Sequence, residues 1–182
     1  MLKTISRKFD LTPDAVSLLE ADHRKVEALF GEFDAADDKR TQAALMKQIC
    51  AELDVHAKIE EKVLYPKGLK VKDAHDEVAE GMVEHEGIKR LVKELSSMSP
   101  ADEMFEAKAK VLKEYVKHHV REEENSMFPK LIESELDLKA LGAQLQQMKE
   151  RLQKREKPAR SAPRRAAPRG RGAAAARGEA RA

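Results

Sequence analysis

Two segments of the chain repeat one unusual pattern, in which a histidine is followed four residues later by a glutamate and nine residues later by an aromatic–proline pair. They are HAKIEEKVLYP at residues 56–66 and HVREEENSMFP at residues 119–129. In a helix, residues four apart lie above one another on a single face. In both segments this face also carries the apolar residues, so the pattern places ionisable groups where a core is expected.

The stretches upstream of the two segments match each other as well. They are ADHRKVEALFGEF at residues 21–33 and VEHEGIKRLVKEL at residues 83–95, and they set His23 and His85 within apolar stripes. No run of alternating β-branched residues indicates a strand. Two similar helical hairpins with short connections predict an all-α fold, an antiparallel up-down-up-down four-helix bundle.

Prolines and capping residues set the predicted helix bounds. Thr12 is expected to cap helix 1, with Pro13 at its first position. Helix 2 covers 39–65 and ends at Pro66, helix 3 covers 73–97, and helix 4 runs from a cap at Ser99-Pro100 to Phe128-Pro129. A fifth, C-terminal helix is expected over 137–155. The residues predicted to face inward are Val16, Leu19, Val26, Phe30, Phe33, Met46, Ile49, Leu53, Val63, Val78, Met82, Ile88, Val92, Leu95, Phe105, Leu112, Val116, Met127, Leu138, Leu141, Leu145, Met148 and Leu152.

The chain of 182 residues is long enough for one domain with a core and a tail. We predict an N-terminal arm over 1–12, the bundle over 13–133, the extra helix over 134–156 and a tail over 157–182. The single cysteine, Cys50, cannot form an internal disulfide, and no apolar run is long enough to span a membrane. A soluble, cytoplasmic protein without a membrane partner is therefore expected.

The basic character of the chain resides in its tail. Residues 157–182 hold eight Lys or Arg and one Glu, a net charge of +7, although the whole chain carries only +2. Few large side chains are present there, so we expect disorder. Flexible cations attract phosphate without reading sequence, which makes nucleic acid a candidate partner, but the tail lacks aromatic residues for base stacking. Solubilisation is the competing interpretation, and the oligomeric state is not indicated.

Six ionisable residues are predicted to meet in one layer of the bundle. Counted along the helices, each lies roughly 8 to 18 Å from the same end. They are His23, His56, Glu60, His85, His119 and Glu123. An unpaired buried carboxylate costs several kcal/mol, and a bound cation removes that cost.

The ligand types indicate which cation would bind. Structural zinc prefers cysteine-rich sets, and calcium and magnesium prefer oxygen alone. Mixed imidazole and carboxylate ligands suit iron, with manganese or zinc less favoured. Two carboxylates between two histidine pairs would bridge two metal ions and leave coordination positions open to an exogenous ligand.

The combined pattern, together with EEKVLYP and EENSMFP, resembles the hemerythrin-like family of HHE cation-binding domains over roughly residues 13–130. The resemblance implies a four-helix bundle with a non-haem di-iron centre, two irons per chain. The four histidines would be terminal ligands, and Glu60 and Glu123 would be bridging carboxylates. The implied ligand is dioxygen, peroxide or nitric oxide, and the implied role is to bind or sense it or the redox or iron state of the cell.

One departure from the family bears on function. Oxygen-carrying hemerythrins have a second histidine four residues from the one on helix 3, but here Gly81 and Lys89 occupy those positions. The missing histidine favours sensing or processing of oxygen species over reversible storage. Whether the protein is an enzyme stays open, with peroxide decomposition as the candidate reaction.

Several neighbouring residues are candidates for supporting roles. Glu61 and Glu122 flank ligands and could orient an imidazole, although a solvated position is the competing interpretation. Tyr115 lies one turn before His119 and could direct its hydroxyl toward the site. Tyr65 and Phe128 are expected to pack, and His75 and His118 to lie on the surface. The competing functions are a nucleic-acid-associated protein with a structural bundle and a metal-free bundle.

Overall fold

The computed structural model describes residues 13–156, and every regular element within that range is helical. The α-helices are α1 Ala15–Ala35, α2 Lys39–Ile59, α3 Tyr65–Gly68, α4 His75–Leu95, α5 Phe105–Glu122, α6 Phe128–Ile132 and α7 Leu138–Glu156. Two π-helical turns, π1 Glu60–Leu64 and π2 Glu123–Met127, join α2 to α3 and α5 to α6, and a 3₁₀ turn spans Lys72–Ala74. The predicted arm and tail lie outside the described residues.

The elements form four rods and an added helix. α1 packs against α2–π1–α3, and α4 packs against α5–π2–α6. The two hairpins meet where α2 contacts α4, and α7 lies on α1 and α2. The predicted four-helix bundle with a C-terminal helix is therefore confirmed. Within residues 13–156, no helix is long and apolar enough to cross a bilayer.

The first helix starts two residues later than predicted. Asp14 is its N-cap, because the Asp14 carboxylate accepts a hydrogen bond of 3.0 Å from the backbone N–H of Ser17. A cap of this kind contributes about 1 kcal/mol. Pro13 consequently precedes the helix, and Thr12, the predicted cap, lies outside the described residues.

The prediction that Pro66 and Pro129 end their helices is wrong. A proline lacks an N–H and clashes with the carbonyl four residues earlier. Each π turn inserts one residue just before the proline: the N–H of Tyr65 bonds to the carbonyl of Glu60, and that of Phe128 bonds to that of Glu123. Each proline therefore sits in the first turn of a new helical segment, where it is tolerated.

The predicted helix start at Ser99-Pro100 is also wrong. Ser99 and Asp102 form a turn, in which the Ser99 N–H donates to the Asp102 carboxylate at 2.8 Å and the Ser99 hydroxyl accepts from the N–H of Ala101 at 3.2 Å. These local bonds compete with helical ones. The helix begins only at Phe105.

The core consists of two apolar clusters with a polar layer between them. One cluster includes Leu19, Ile59, Leu64, Leu131 and Leu145, and the other includes Phe30, Ile49, Leu91, Phe105 and Leu112. The buried polar residues of the described chain are Asp22, His23, His56, Glu60, His85, His119 and Glu123. The polar layer formed by these residues therefore separates the two apolar clusters of the core.

Most residues predicted to face inward are buried or partly buried, but Met82 is not. Its exposed fraction is 42%. The inward stripe of α4 runs through Gly81 instead, because a Cβ there would lie 3.2 Å from the hydroxyl of Tyr65. The glycine makes room for the tyrosine, and Met82 is turned aside.

Gly142 fixes the position of α7, because its backbone rests on the start of α1. A Cβ at Gly142 would lie 2.3 Å from the carbonyl oxygen of Pro13. We expect Gly142→Ala to lower the free energy of unfolding by about 1–3 kcal/mol through overpacking. Urea denaturation checks this.

Gly31→Ala is the matched control, because a Cβ at Gly31 would meet nothing within 4 Å. This change should raise the free energy of unfolding by about 0.5–1 kcal/mol, as expected for glycine inside a helix. Equal effects of the two substitutions would contradict the close packing of α7 on α1.

Candidate metal centre

The four predicted histidines converge as two pairs. The Nε2 atoms of His23 and His56 lie 3.2 Å apart, and those of His85 and His119 lie 3.0 Å apart. None of the four is more than 6% exposed. One pair comes from each hairpin, so the internal repeat of the sequence appears directly in the geometry.

Glu60 and Glu123 lie between the two pairs. The Oε2 atom of Glu60 is 3.1 Å from Nε2 of His56 and 3.4 Å from that of His85. The Oε2 atom of Glu123 is 3.2 Å from Nε2 of His23 and 3.6 Å from that of His119. Each carboxylate thus reaches one imidazole of each pair, which is the position of a bridging ligand.

The two carboxylates fit a cation better than they fit a protein core. Among the described residues, both oxygens of Glu60 and Oε2 of Glu123 are buried without a hydrogen-bond partner. Leaving such groups unpaired costs several kcal/mol. Two sets of ligand atoms each lie within 4.8 Å of one another, namely His23, His56, Glu60 and Glu123, and Glu60, His85 and His119. Coordination to metal would satisfy all of them.

The outward-facing Nδ1 atoms of three histidines have carboxylate partners. His23 is 2.8 Å from Glu124, His85 is 3.2 Å from Glu61, and His119 is 2.7 Å from Glu84. Such carboxylates fix the tautomer and orientation of a ligating imidazole, leaving Nε2 free to bind metal. The fourth histidine, His56, differs, because its Nδ1 atom lies 3.7 Å from Asp22.

Of the supporting residues predicted from sequence, only Glu61 reaches the site. Glu122 is wrong: its side chain is 43% exposed and forms an ion pair with Arg121, because it lies on the outer face of α5. Tyr115 is also wrong, since it is 46% exposed and its ring packs beside Gly87 on the outside of the bundle.

Sequence reasoning missed Glu124, Glu84 and Asp22. The repeat contained the signal for all three. Glu60-Glu61 aligns with Glu123-Glu124, and Asp22-His23 aligns with Glu84-His85.

Tyr65 does more than pack. Its hydroxyl donates to Oε1 of Glu123 at 3.0 Å and lies 3.2 Å from Nε2 of His85. Burial and the Glu123 charge raise the pKa of Tyr65 well above its ordinary value, so the hydroxyl keeps its proton. Phe128, at the equivalent position, stacks on the ring of His23. The sequence signal for this role was the difference between Tyr65 and Phe128 at equivalent positions of the repeat.

Without a cation, protons compensate the buried charges. Burial lowers the pKa of His56, but the carboxylates of Glu60 and Asp22 outweigh it and raise that pKa to about 10. At His119, burial again lowers the pKa, but the carboxylates of Glu123 and Glu84 outweigh burial and raise it. The pKa of Glu60 falls well below its ordinary value, because the imidazoles overcome its burial.

A cavity of about 20 Å³ adjoins all four histidines. Its other walls are mainly apolar and include Val26, Leu53, Ile88 and Val116. A volume of this size holds about one water molecule. A groove of about 350 Å³ between α1 and α5 shares His23, Val116 and Val120 with this cavity, so the centre lies close to a route from solvent.

Comparison with known proteins identifies the family. The model of the hemerythrin HHE cation binding domain matches residues 14–131. A crystal structure of a hemerythrin HHE cation binding domain-containing protein from Mycobacterium kansasii aligns with a TM-score of 0.66 and 22% identity, covering 79% of this chain and 89% of that one. A DNA nickase from Nostoc sp. is 33% identical over 113 residues, which are 61% of this chain but only 31% of that protein. The family model covers well over half of the sequence, and this chain belongs to the hemerythrin HHE cation-binding domain family.

Proposed function

We propose that the polar layer holds two iron ions bridged by Glu60 and Glu123, and that the protein binds or senses a small oxygen species there. The observation that carries the proposal is the position of the two carboxylates. Each is fully buried, lies between imidazoles of both pairs and has an oxygen without a hydrogen-bond donor. Mixed imidazole and carboxylate ligands with open positions suit non-haem iron.

The side chains divide into two metal positions. One would be held by His23 and His56 and the other by His85 and His119. Glu60 belongs to both ligand sets, and Oε2 of Glu123 reaches the second pair at 3.6 Å from Nε2 of His119. Iron supplies open coordination positions and a reversible change of oxidation state. Tyr65 holds Oε1 of Glu123, which leaves Oε2 directed toward the histidines.

The cavity supports a small ligand. Its volume of about 20 Å³ accommodates dioxygen, peroxide or nitric oxide better than an organic substrate. The apolar walls exclude bulk water from the imidazoles. Peroxide decomposition is the one enzymatic reaction class that this arrangement favours, and we rank it below binding or sensing.

Replacing one ligand tests the centre. Protein purified with iron should contain about two irons per chain and absorb in the near ultraviolet through ligand-to-iron charge transfer. We expect His119→Ala to lose at least one iron and most of that absorption, because the ring is 3% exposed and lies at the centre of the site. Metal analysis and spectra of the two proteins check this.

His75→Ala is the matched control, because His75 begins α4 with a side chain 54% exposed. This variant should keep its iron and spectrum. Equal iron content in His119→Ala and His75→Ala, or a colourless wild-type protein after anaerobic loading, would contradict the proposal. Peroxide turnover that His119→Ala leaves unchanged would remove the enzymatic reading alone.

Metal loading should release protons. In the metal-free protein the pKa of His56 is about 10, so at pH 7 this imidazole carries an extra proton that metal must displace, and the raised pKa of His119 favours its protonation in the same direction. The apparent affinity for metal should therefore increase as pH increases from 6 to 9. Calorimetry in two buffers of different ionisation enthalpy should show release of roughly one to two protons per chain. An affinity independent of pH would contradict this charge state.

A second function, contact with DNA, is favoured by two observations. A relative over part of this chain is a DNA nickase, and residues 157–182 carry a net charge of +7. We propose that this segment contacts phosphate without reading sequence. The bundle would then carry the metal centre while the basic segment carries the nucleic-acid contact.

Deletion of residues 157–182 tests the DNA contact. The full chain should bind duplex DNA with an affinity that falls steeply with salt, and the shortened chain should lose most of this affinity while keeping its iron. Filter binding across a salt series measures the DNA affinity of the two proteins, and metal analysis measures their iron content. Affinity unchanged by the deletion would contradict the role of the segment.

Nicking of supercoiled plasmid by the iron-loaded full chain, absent in His119→Ala, would extend the relative's activity to this protein.

A further inference from the structure

Helix α7 contacts the polar layer, although α7 lies beyond the residues that match the family model. The match ends at residue 131 and α7 begins at Leu138. Leu141 and Leu145 are buried in the core cluster, and Gly142 rests on the backbone at the start of α1. These contacts fix both the position and the rotation of α7 on the bundle.

Lys149 extends from this fixed face to Asp22. It follows Leu145 by four residues, so the two side chains share one face of the helix. Its ammonium forms an ion pair with Oδ1 of Asp22, and the two side chains are only 16% and 9% exposed. Asp22 precedes His23 in α1, so the ammonium group of Lys149 is held directly beside the polar layer.

The same carboxylate faces His56, but too far away for a hydrogen bond. Oδ2 of Asp22 lies 3.7 Å from Nδ1 of His56. That Nδ1 atom is buried without a hydrogen-bond partner among residues 13–156. His23, His85 and His119 each have a carboxylate within 3.2 Å of Nδ1. His56 is therefore the least supported of the four imidazoles.

The internal repeat shows what Asp22 would otherwise do. Its counterpart is Glu84, which precedes His85 as Asp22 precedes His23. Glu84 reaches Nδ1 of His119 at 2.7 Å. Asp22 is one methylene shorter, and its second oxygen is engaged by Lys149. Both differences keep its carboxylate back from His56.

We propose that α7 adjusts one of the two metal positions through Lys149, and this inference rests on the proposed function. With α7 docked, Lys149 holds Asp22 away from His56, and the position formed by His23 and His56 binds metal more weakly than it would with Nδ1 of His56 hydrogen-bonded to Asp22. When the pair is broken, Asp22 accepts a hydrogen bond from Nδ1–H of His56, which orients the ring and makes it a stronger ligand. Lys149 is thus a positioning residue that makes the centre asymmetric.

Two substitutions test this by different means. Lys149→Met removes the cation while keeping the apolar stem, and Asp22→Glu lengthens the carboxylate to match Glu84 while keeping Lys149. In full-length zinc-loaded protein, both should shift the Nδ1 proton resonance of His56 toward the values of the hydrogen-bonded histidines. Both should also tighten zinc binding at the His23/His56 position by about tenfold in competition with a chromophoric chelator. The resonances of His85 and His119 are internal references and should not move.

Two controls separate this effect from simple packing. Lys149→Arg keeps the charge and should retain the wild-type resonance and affinity. Lys154→Met, at an exposed position of the same helix, should also change neither. If zinc binds but both Lys149→Met and Asp22→Glu leave the His56 resonance and the affinity at wild-type values, the inference is overturned alone. Wild-type protein that binds no metal would overturn the proposed function together with it.

Discussion

Burial of charge at the centre of the bundle is the constraint on which the rest of the structure depends. Two carboxylates and four imidazoles occupy a layer that an ordinary helical bundle fills with apolar side chains. An isolated carboxylate in such a place neutralises or destabilises the fold. In this protein, imidazoles surround the charges of Glu60 and Glu123. Further carboxylates lie within hydrogen-bond distance of three of those imidazoles. Protons or a cation must complete this balance, and the geometry suits a cation.

The two π turns connect this constraint to the backbone. Each begins at a central glutamate, Glu60 or Glu123, and each ends before an aromatic–proline pair. A π turn adds a residue to the helix and thereby changes the direction of the side chains that follow it. The extra residue lets Glu60 face the histidines while Tyr65 still points back into the same layer. Both copies of the internal repeat therefore contain a π turn as well as the histidine and glutamate residues of the site.

The sequence was sufficient to predict the bundle and the six central residues, because helical periodicity and the repeat both depend on local spacing. It did not reveal the continuation of the helices through Pro66 and Pro129, since a π turn follows from the tertiary demands on Glu60 and Glu123 and not from propensity. The outer carboxylates were missed for a related reason. Asp22 and Glu84 lie one position from the inward stripe, and only the rotation of each helix in the packed bundle decides that they reach a histidine. Glu122 and Glu124 both adjoin Glu123 in the sequence, and only the alignment of Glu124 with Glu61 in the repeat distinguishes them.

Anomalous scattering at the iron absorption edge, from crystals of iron-loaded protein, tests the account most directly. The account predicts two peaks about 3.5–4 Å apart, one beside the Nε2 atoms of His23 and His56 and the other beside those of His85 and His119, with Glu60 and Glu123 spanning both. A single peak outside this layer, or histidine and glutamate side chains that hydrogen-bond to one another with no metal between them, would contradict it.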